Sequence, residues 1–270
     1  MGTLWNTYAF FCMYASIDGF DPAVHTAEEK DLTLMDRWVL SRLNSLVKAV
    51  DEGLGRYEIT ESARAIQAFV DSHEDVDADR IYLGGCSNGG YMTMNMLVSY
   101  PDYWAAAYPN CEAYAFYKFS ASDGDGSAMG GENTFSASKN RWMTEEKIEA
   151  IKKIPIWFAQ SADDTVVAPT AFALPTYQAL LQAGADHVWF SFFETVKGSD
   201  DPTAQYMGHW VWCYLFNDQI TKVQDPDAIR NATDDLYGFV PSNDGGGSLF
   251  ATVDGVTYES VFAWLNAQSR

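Results

Sequence analysis

Residues 83–92 read LGGCSNGGYM. A serine, Ser87, sits between glycines two residues before and two after, giving the pattern G-x-S-x-G at Gly85, Ser87 and Gly89. Alone the pattern is a weak signal. Its surroundings strengthen it, because the β-rich run RIYLGG precedes it and the helical run NGGYMTMNMLVSY follows. A strand, a sharp turn and a helix place a serine at the carboxyl end of a sheet, with the N-terminal amides of the helix beginning at Asn88 aimed at a developing oxyanion. The turn predicts that Gly85 and Gly89 are needed for lack of side chains.

Outward from this stretch, apolar strands alternate with helical segments. YWAAAYPN, IPIWFAQ and HVWFSFFE read as strands. EEKIEAIKK and HWVWCYLFND read as helices, and PTAFALPTYQALLQAG reads as a helix interrupted at Pro175. This alternation predicts a parallel sheet with helices on its faces, an α/β fold. Residues 119–140 form a polar, glycine-rich insertion. Toward the C-terminus, LFATVDGVTYES predicts a hairpin turning on Asp254-Gly255, and SVFAWLNAQ a last helix.

The front of the chain has another texture. Over residues 31–54, Met35, Val39, Leu43, Leu46, Val47, Val50 and Leu54 recur at helical spacing. Thr33 and Asp36 resemble a capping box. A second helix follows in TESARAIQAFVD with Thr60 as its N-cap, and residues 4–15 suggest a third. The expected division is a helical segment, 1–72, and an α/β part, 73–270.

A serine hydroxyl needs a base. The chain has four histidines. His25 and His73 lie in acidic loops, and His187 starts a strand and so falls at the amino end of the sheet. His209, in MGHWVW, follows a strand by a loop and falls at the carboxyl end, where Ser87 is expected. The acid belongs between them after a strand, where PIWFAQSADDTVVAP offers Asp163 and Asp164. Asp164 is favoured by the Asp-x-x-Val spacing to Val167, with Glu112 as a further alternative. Tyr91, Trp142 and Trp210 are candidates to line a substrate pocket.

These residues bring a family into view. From about Val76 onward, VDADRIYLGGCSNGGYMTMNML, YPDYWAAAYPNCEAY, IPIWFAQSADDTVV and YMGHWVWCYLFND resemble α/β-hydrolases of the bacterial esterase, polyhydroxybutyrate-depolymerase-like and prolyl-oligopeptidase-like branch. The resemblance implies a triad of Ser87, Asp164 and His209, an oxyanion donor at Asn88, and short acyl, acetyl or feruloyl esters as substrates, with no cofactor and no metal. Over about residues 3–71, LWNTYAFFCMYASIDGFDP and DLTLMDRWVLSRLNSLVKAVDEGLGRYEITESARAIQAFVD resemble isoleucyl-tRNA synthetase where its catalytic domain passes into the helical anticodon-binding domain. None of that enzyme's ATP, editing or zinc sites is in these blocks, so aminoacylation is not implied. The chain reads as a fusion joined near IQAFVDSHEDVD. Synthetase-like helices stand where the resemblance expects the strands ahead of the serine turn, together with a loop that supplies a second oxyanion donor. The elbow strand is then expected to have an open edge, covered by helices 31–54 and 60–72 or by a second copy of the chain.

Composition bounds the remaining classes. The net charge is −20, which disfavours nucleic acid as a partner. The cysteines are Cys12, Cys86, Cys111 and Cys213, with no C-x-x-C pair. A disulfide between Cys86 and Cys111 is weighed against two reduced thiols, and the reduced state is expected in a cytoplasm. No basic leader segment and no apolar run of membrane length is seen, so a cytoplasmic location is expected.

Overall fold

The computed structural model describes residues 59–117, 141–198, 201, 203–234 and 236–270, with scattered positions between 30 and 48. The chain divides into two compact units, Met1–Ala78 and Asp79–Arg270.

In the first unit the described positions among 37–48 are helical, and the Arg37 amide donates to Thr33 O at 3.1 Å. Helix α1 spans Ile59–Asp71, so Thr60 lies inside the first turn and is not the N-cap. Its far end is closed by His73, which stacks on Phe69 at 4.0 Å and bonds Phe69 O through Nδ1 at 2.7 Å. Asp36 and residues 4–15, where a capping box and a further helix were expected, fall outside the described residues.

The second unit is built on four parallel strands in sequence order, β1 (Tyr82–Cys86), β2 (Ala106–Asn110), β3 (Ile156–Ser161) and β4 (Val188–Phe193). Parallel neighbours require crossovers, and helices supply them. α2 (Asn88–Ser99) joins β1 to β2, α3 (Glu145–Ile151) lies between β2 and β3, and α4 (Ala173–Gln182) joins β3 to β4. Every residue of β3 and β4 is buried, as expected for a parallel sheet covered on both faces. The two-residue period of the strands sorts their side chains. Trp157, Ala159, Trp189 and Phe193 face a cluster with Val211, Leu215, Val261 and Trp264. Phe158, Phe190 and Phe192 join Tyr177 and Phe239 in a separate run of ring contacts. The Trp157 indole stays satisfied by donating to Ser191 Oγ at 2.9 Å, and that hydroxyl donates to Lys222 O at 2.5 Å.

Pro175 does not interrupt its helix. A short turn at Pro169–Ala171 comes first, α4 starts at Ala173, and Pro175 occupies its first turn, where no helical acceptor exists for its missing N–H. After β4 come a two-residue ribbon, β5 (Val196–Lys197) with β6 (Gln205–Tyr206), and α5 (Trp212–Phe216). α6 (Pro226–Arg230), the hairpin β7 (Ala251–Val253) with β8 (Val256–Tyr258), and α7 (Val261–Asn266) complete the unit. Asp254 and Gly255 both have positive φ, 49° and 79°, which is the two-residue turn that matches strand twist. Among the described residues no strand precedes β1, which pairs with β2 on one side and forms an edge of the sheet. The insertion at 119–140 lies outside the described residues. None of the described helices is long and apolar enough to cross a membrane.

Candidate active site

The site is assembled from the carboxyl ends of the sheet. β1 ends at Cys86 and α2 begins at Asn88, which leaves Ser87 as the whole turn. Its backbone is held at φ 57°, ψ −116°, a region costly for a residue with a Cβ, and the Ser87 amide donates to Asn110 O at 3.0 Å on the neighbouring strand. The glycine requirement differs from the one expected. A Cβ at Gly85 would lie 2.5 Å from the Gly89 carbonyl carbon, and one at Gly90 would lie 2.7 Å from Glu112 Cα. A Cβ at Gly89 would meet nothing within 4 Å. The close approaches are therefore strand to helix at Gly85 and helix to the end of β2 at Gly90, while Gly89 contributes only its bare backbone.

His209 stands in a tight turn, Gly208–Trp210, after the short ribbon. Its Nδ1 lies 2.8 Å from Asp164 Oδ2 and its Nε2 lies 2.9 Å from Ser87 Oγ. A carboxylate only accepts, so Nδ1 carries the proton and Nε2 is left to accept from the serine hydroxyl. The imidazole is 7 % exposed and the Asp164 side chain 0 %. Trp212 meets the imidazole edge-on at 5.3 Å. Asp164 is fixed from several sides. Its Oδ1 accepts the amides of Val166 and Val167, both at 2.9 Å, and its Oδ2 accepts Gln160 Nε2 at 2.8 Å as well as His209. Asp163 points elsewhere, accepting from Ser161 Oγ at 2.5 Å, and packs against Gly208.

Glu112, the other alternative acid, is not on His209. It is 1 % exposed, its Oε2 accepts the Tyr114 amide at 2.6 Å, and its Oε1 is buried with no partner among the described residues. Burial pushes its carboxyl up from 4.5 to about 8. The folded protein then keeps a proton that the unfolded chain gives up above pH 4.5. Stability from this group is complete below that pH and falls by at most about 1.4 kcal/mol per unit until the folded carboxyl also ionises. Glu112→Gln removes the effect. Its melting temperature is expected to match wild type at pH 4.5 and to exceed it increasingly toward pH 8, as followed by thermal melts across that range.

The cysteines beside the serine do not compete with it. Cys86, Cys111 and Cys213 are free thiols. Burial, with a smaller contribution from Cys213, pushes the Cys86 thiol up to about 11, and burial raises Cys111 as well. Both are protonated at neutral pH and poor nucleophiles. Of the pocket candidates, Tyr91 is 2 % exposed and stacks on Tyr114 at 5.6 Å. Trp142 lies 6.2 Å from the same Tyr114, under the Lys147 ammonium at 4.1 Å. Tyr91 is thus packed in the core against Tyr114. Trp210 is exposed beside His209, with Tyr206 at 5.9 Å. Asn88 is the exposed first residue of α2. Two residues that shape the site were not singled out in the sequence, Gly90 and Gln160. The signal for Gln160 was a polar residue inside the apolar strand IWFAQS.

His187 precedes β4 at the amino end of the sheet, beside Asp186 at 3.5 Å. His25 is outside the described residues.

Comparison with known proteins finds similar solved structures and similar sequences. A thermostable esterase of known structure shares 22% identity, with a TM-score of 0.45, over 79% of this chain and 37% of that one. Acylaminoacyl peptidase of Pyrococcus horikoshii shares 20% identity, with a TM-score of 0.39, over 50% of this chain and 22% of that one. Isoleucine–tRNA ligase of Clostridium novyi is 46% identical over 74 residues, and that of Methanopyrus kandleri 47% over 72 residues. Each ligase match takes 26% of this chain and 7% of the ligase, so the chain spans a small part of those proteins. The profile of the prolyl oligopeptidase family, peptidase S9, matches residues 44–193. It begins within the segment whose sequence resembles the synthetase, takes in Ser87 and Asp164, and stops before His209. With more than half of its length matched by that profile, the chain belongs to the prolyl oligopeptidase family.

Proposed function

We propose that the chain is a serine hydrolase that cleaves carboxylic esters, with short acyl, acetyl or feruloyl esters as its substrates. The observation that supports this most is the continuous hydrogen-bond chain Ser87–His209–Asp164 on a serine held in a strained turn. Membership of a family of serine hydrolases points the same way.

In this reading His209 Nε2 takes the Ser87 proton as Oγ attacks the carbonyl carbon. Asp164 holds the imidazole and stabilises the imidazolium. The Asn88 amide, at the positive end of α2, donates to the carbonyl oxygen as its charge develops. The imidazolium then protonates the departing alkoxide and leaves an acyl group on Ser87. Water, deprotonated by His209, releases the acid and restores the serine.

The test is hydrolysis of p-nitrophenyl acetate and butyrate beside an N-acyl-aminoacyl p-nitroanilide, with labelling by a fluorophosphonate mapped by peptide mass. Faster turnover of the esters and a label on Ser87 are the expected results. Preference for the anilide would replace esters by peptide-like amides. A chain that cleaves neither and takes no label would be a non-catalytic scaffold, and the reading fails.

A further inference from the structure

Gln160 is a polar side chain with no access to solvent, placed beside the equally buried Ser161 at the end of a strand whose first four residues are apolar. Burying a carboxamide is costly unless it is bonded. Its Nε2 lies 2.8 Å from Asp164 Oδ2 and 3.3 Å from Val167 O. Both neighbours can only accept, so the amide must present its NH2 to them and its orientation is determined without ambiguity. The oxygen it reaches is the same Oδ2 that accepts from His209 Nδ1. Through Val167 O it also ties strand β3 to the loop whose amides hold Oδ1.

We infer that Gln160 is a positioning residue for the Ser87–His209–Asp164 chain, aiming Asp164 Oδ2 at His209 and sharing that oxygen's negative charge. The inference rests on the hydrolase reading above. It follows from acceptor capacity. With Oδ1 occupied by two backbone amides, Oδ2 is the atom left for the imidazole, and Gln160 is its other donor. Remove that donor and Oδ2 keeps its full charge for His209 alone, which favours the imidazolium. It also loses one of the contacts that fix its angle. Of the other titratable groups, Asp163 is in the same loop and packs against Gly208, and Cys111 at the end of β2 interacts with Asp164, while Cys86 and Glu112 interact with Cys111 and Cys213 with Cys86. None of them changes in the variant.

The experiment is Gln160→Met, which keeps the length and removes both donors. In the full chain, kcat on p-nitrophenyl butyrate is expected to fall roughly ten- to a hundredfold with KM little changed. The acid limb of its pH profile is expected to move to higher pH. The low-field proton resonance of His209 Nδ1–H is expected to move as well, and that readout does not need turnover. A limb and a resonance that both stay in place, whatever happens to stability, overturn the inference. A wild-type chain with no turnover and no fluorophosphonate label defeats the hydrolase reading, while the resonance still decides Gln160's part. If Gln160→Met does not fold, Gln160→Glu replaces it. That side chain donates only while protonated, so its kcat relative to wild type should fall as pH rises, and a constant ratio overturns the inference.

Discussion

Ser87→Ala is expected to lower kcat on p-nitrophenyl butyrate by about 10⁶-fold, to the level left by binding and oxyanion contacts alone. The size of the loss follows from the arrangement. His209 has one acceptor nitrogen, and it faces Ser87 Oγ at 2.9 Å. Without that hydroxyl the imidazole has no bound nucleophile to activate. Alanine keeps the Cβ, so the backbone strain at φ 57° is unchanged, and the substitution removes only a half-buried hydroxyl. Melting temperature should therefore stay within a few degrees of wild type, which separates lost chemistry from lost fold. Initial rates corrected for spontaneous hydrolysis, together with a thermal melt, check it. A loss of less than tenfold would mean that another group performs the attack.

Asp164→Asn is expected to cost about 10⁴-fold in kcat near neutral pH. The surroundings decide which way the new amide must face. Oδ1 of Asp164 accepts two backbone amides, from Val166 and Val167, and only an oxygen can stay there. The amide nitrogen must then replace Oδ2, where it meets His209 Nδ1 and the NH2 of Gln160. Two donors cannot bond, so the Gln160 contact is lost. The imidazole turns to the tautomer with its proton on Nε2 and can no longer accept from Ser87. The variant should bind substrate with a KM close to wild type, because the buried Asp164 side chain lies behind His209. Steady-state kinetics on the purified variant would show it, and a kcat within tenfold of wild type would remove Asp164 from the proposed mechanism.

The sheet was legible because its strands are short apolar runs separated by helical spacing, and periodicity alone exposes that alternation. Ser87, Asp164 and His209 could be chosen because G-x-S-x-G has a shape requirement and because only one of four histidines lies in a loop at the carboxyl end. What stayed hidden depends on distances that spacing does not carry. Gly89 looked necessary and Gly90 did not, because the clash that matters is between α2 and the end of β2, residues far apart in sequence. Tyr91 was a pocket candidate, and its stack on Tyr114 could not be read from spacing. Pro175 looked like a break because the start of α4 could not be read to within a turn. Gln160 was passed over for the opposite reason, since a single amide in a strand has no pattern until its acceptors are seen.

The contacts that connect the three residues close loops of 45 and 122 positions. This has a consequence for a chain made from its amino end. While translation proceeds, Ser87, α2 and then Asp164 leave the ribosome before His209 does. A nascent chain that has folded β1 to β4 but not yet released Gly208–Trp210 carries a serine with nothing to draw off its proton. In the proposed mechanism such a chain is not yet reactive, because the Ser87–His209 hydrogen bond forms only once the Gly208–Trp210 turn has docked beside the serine.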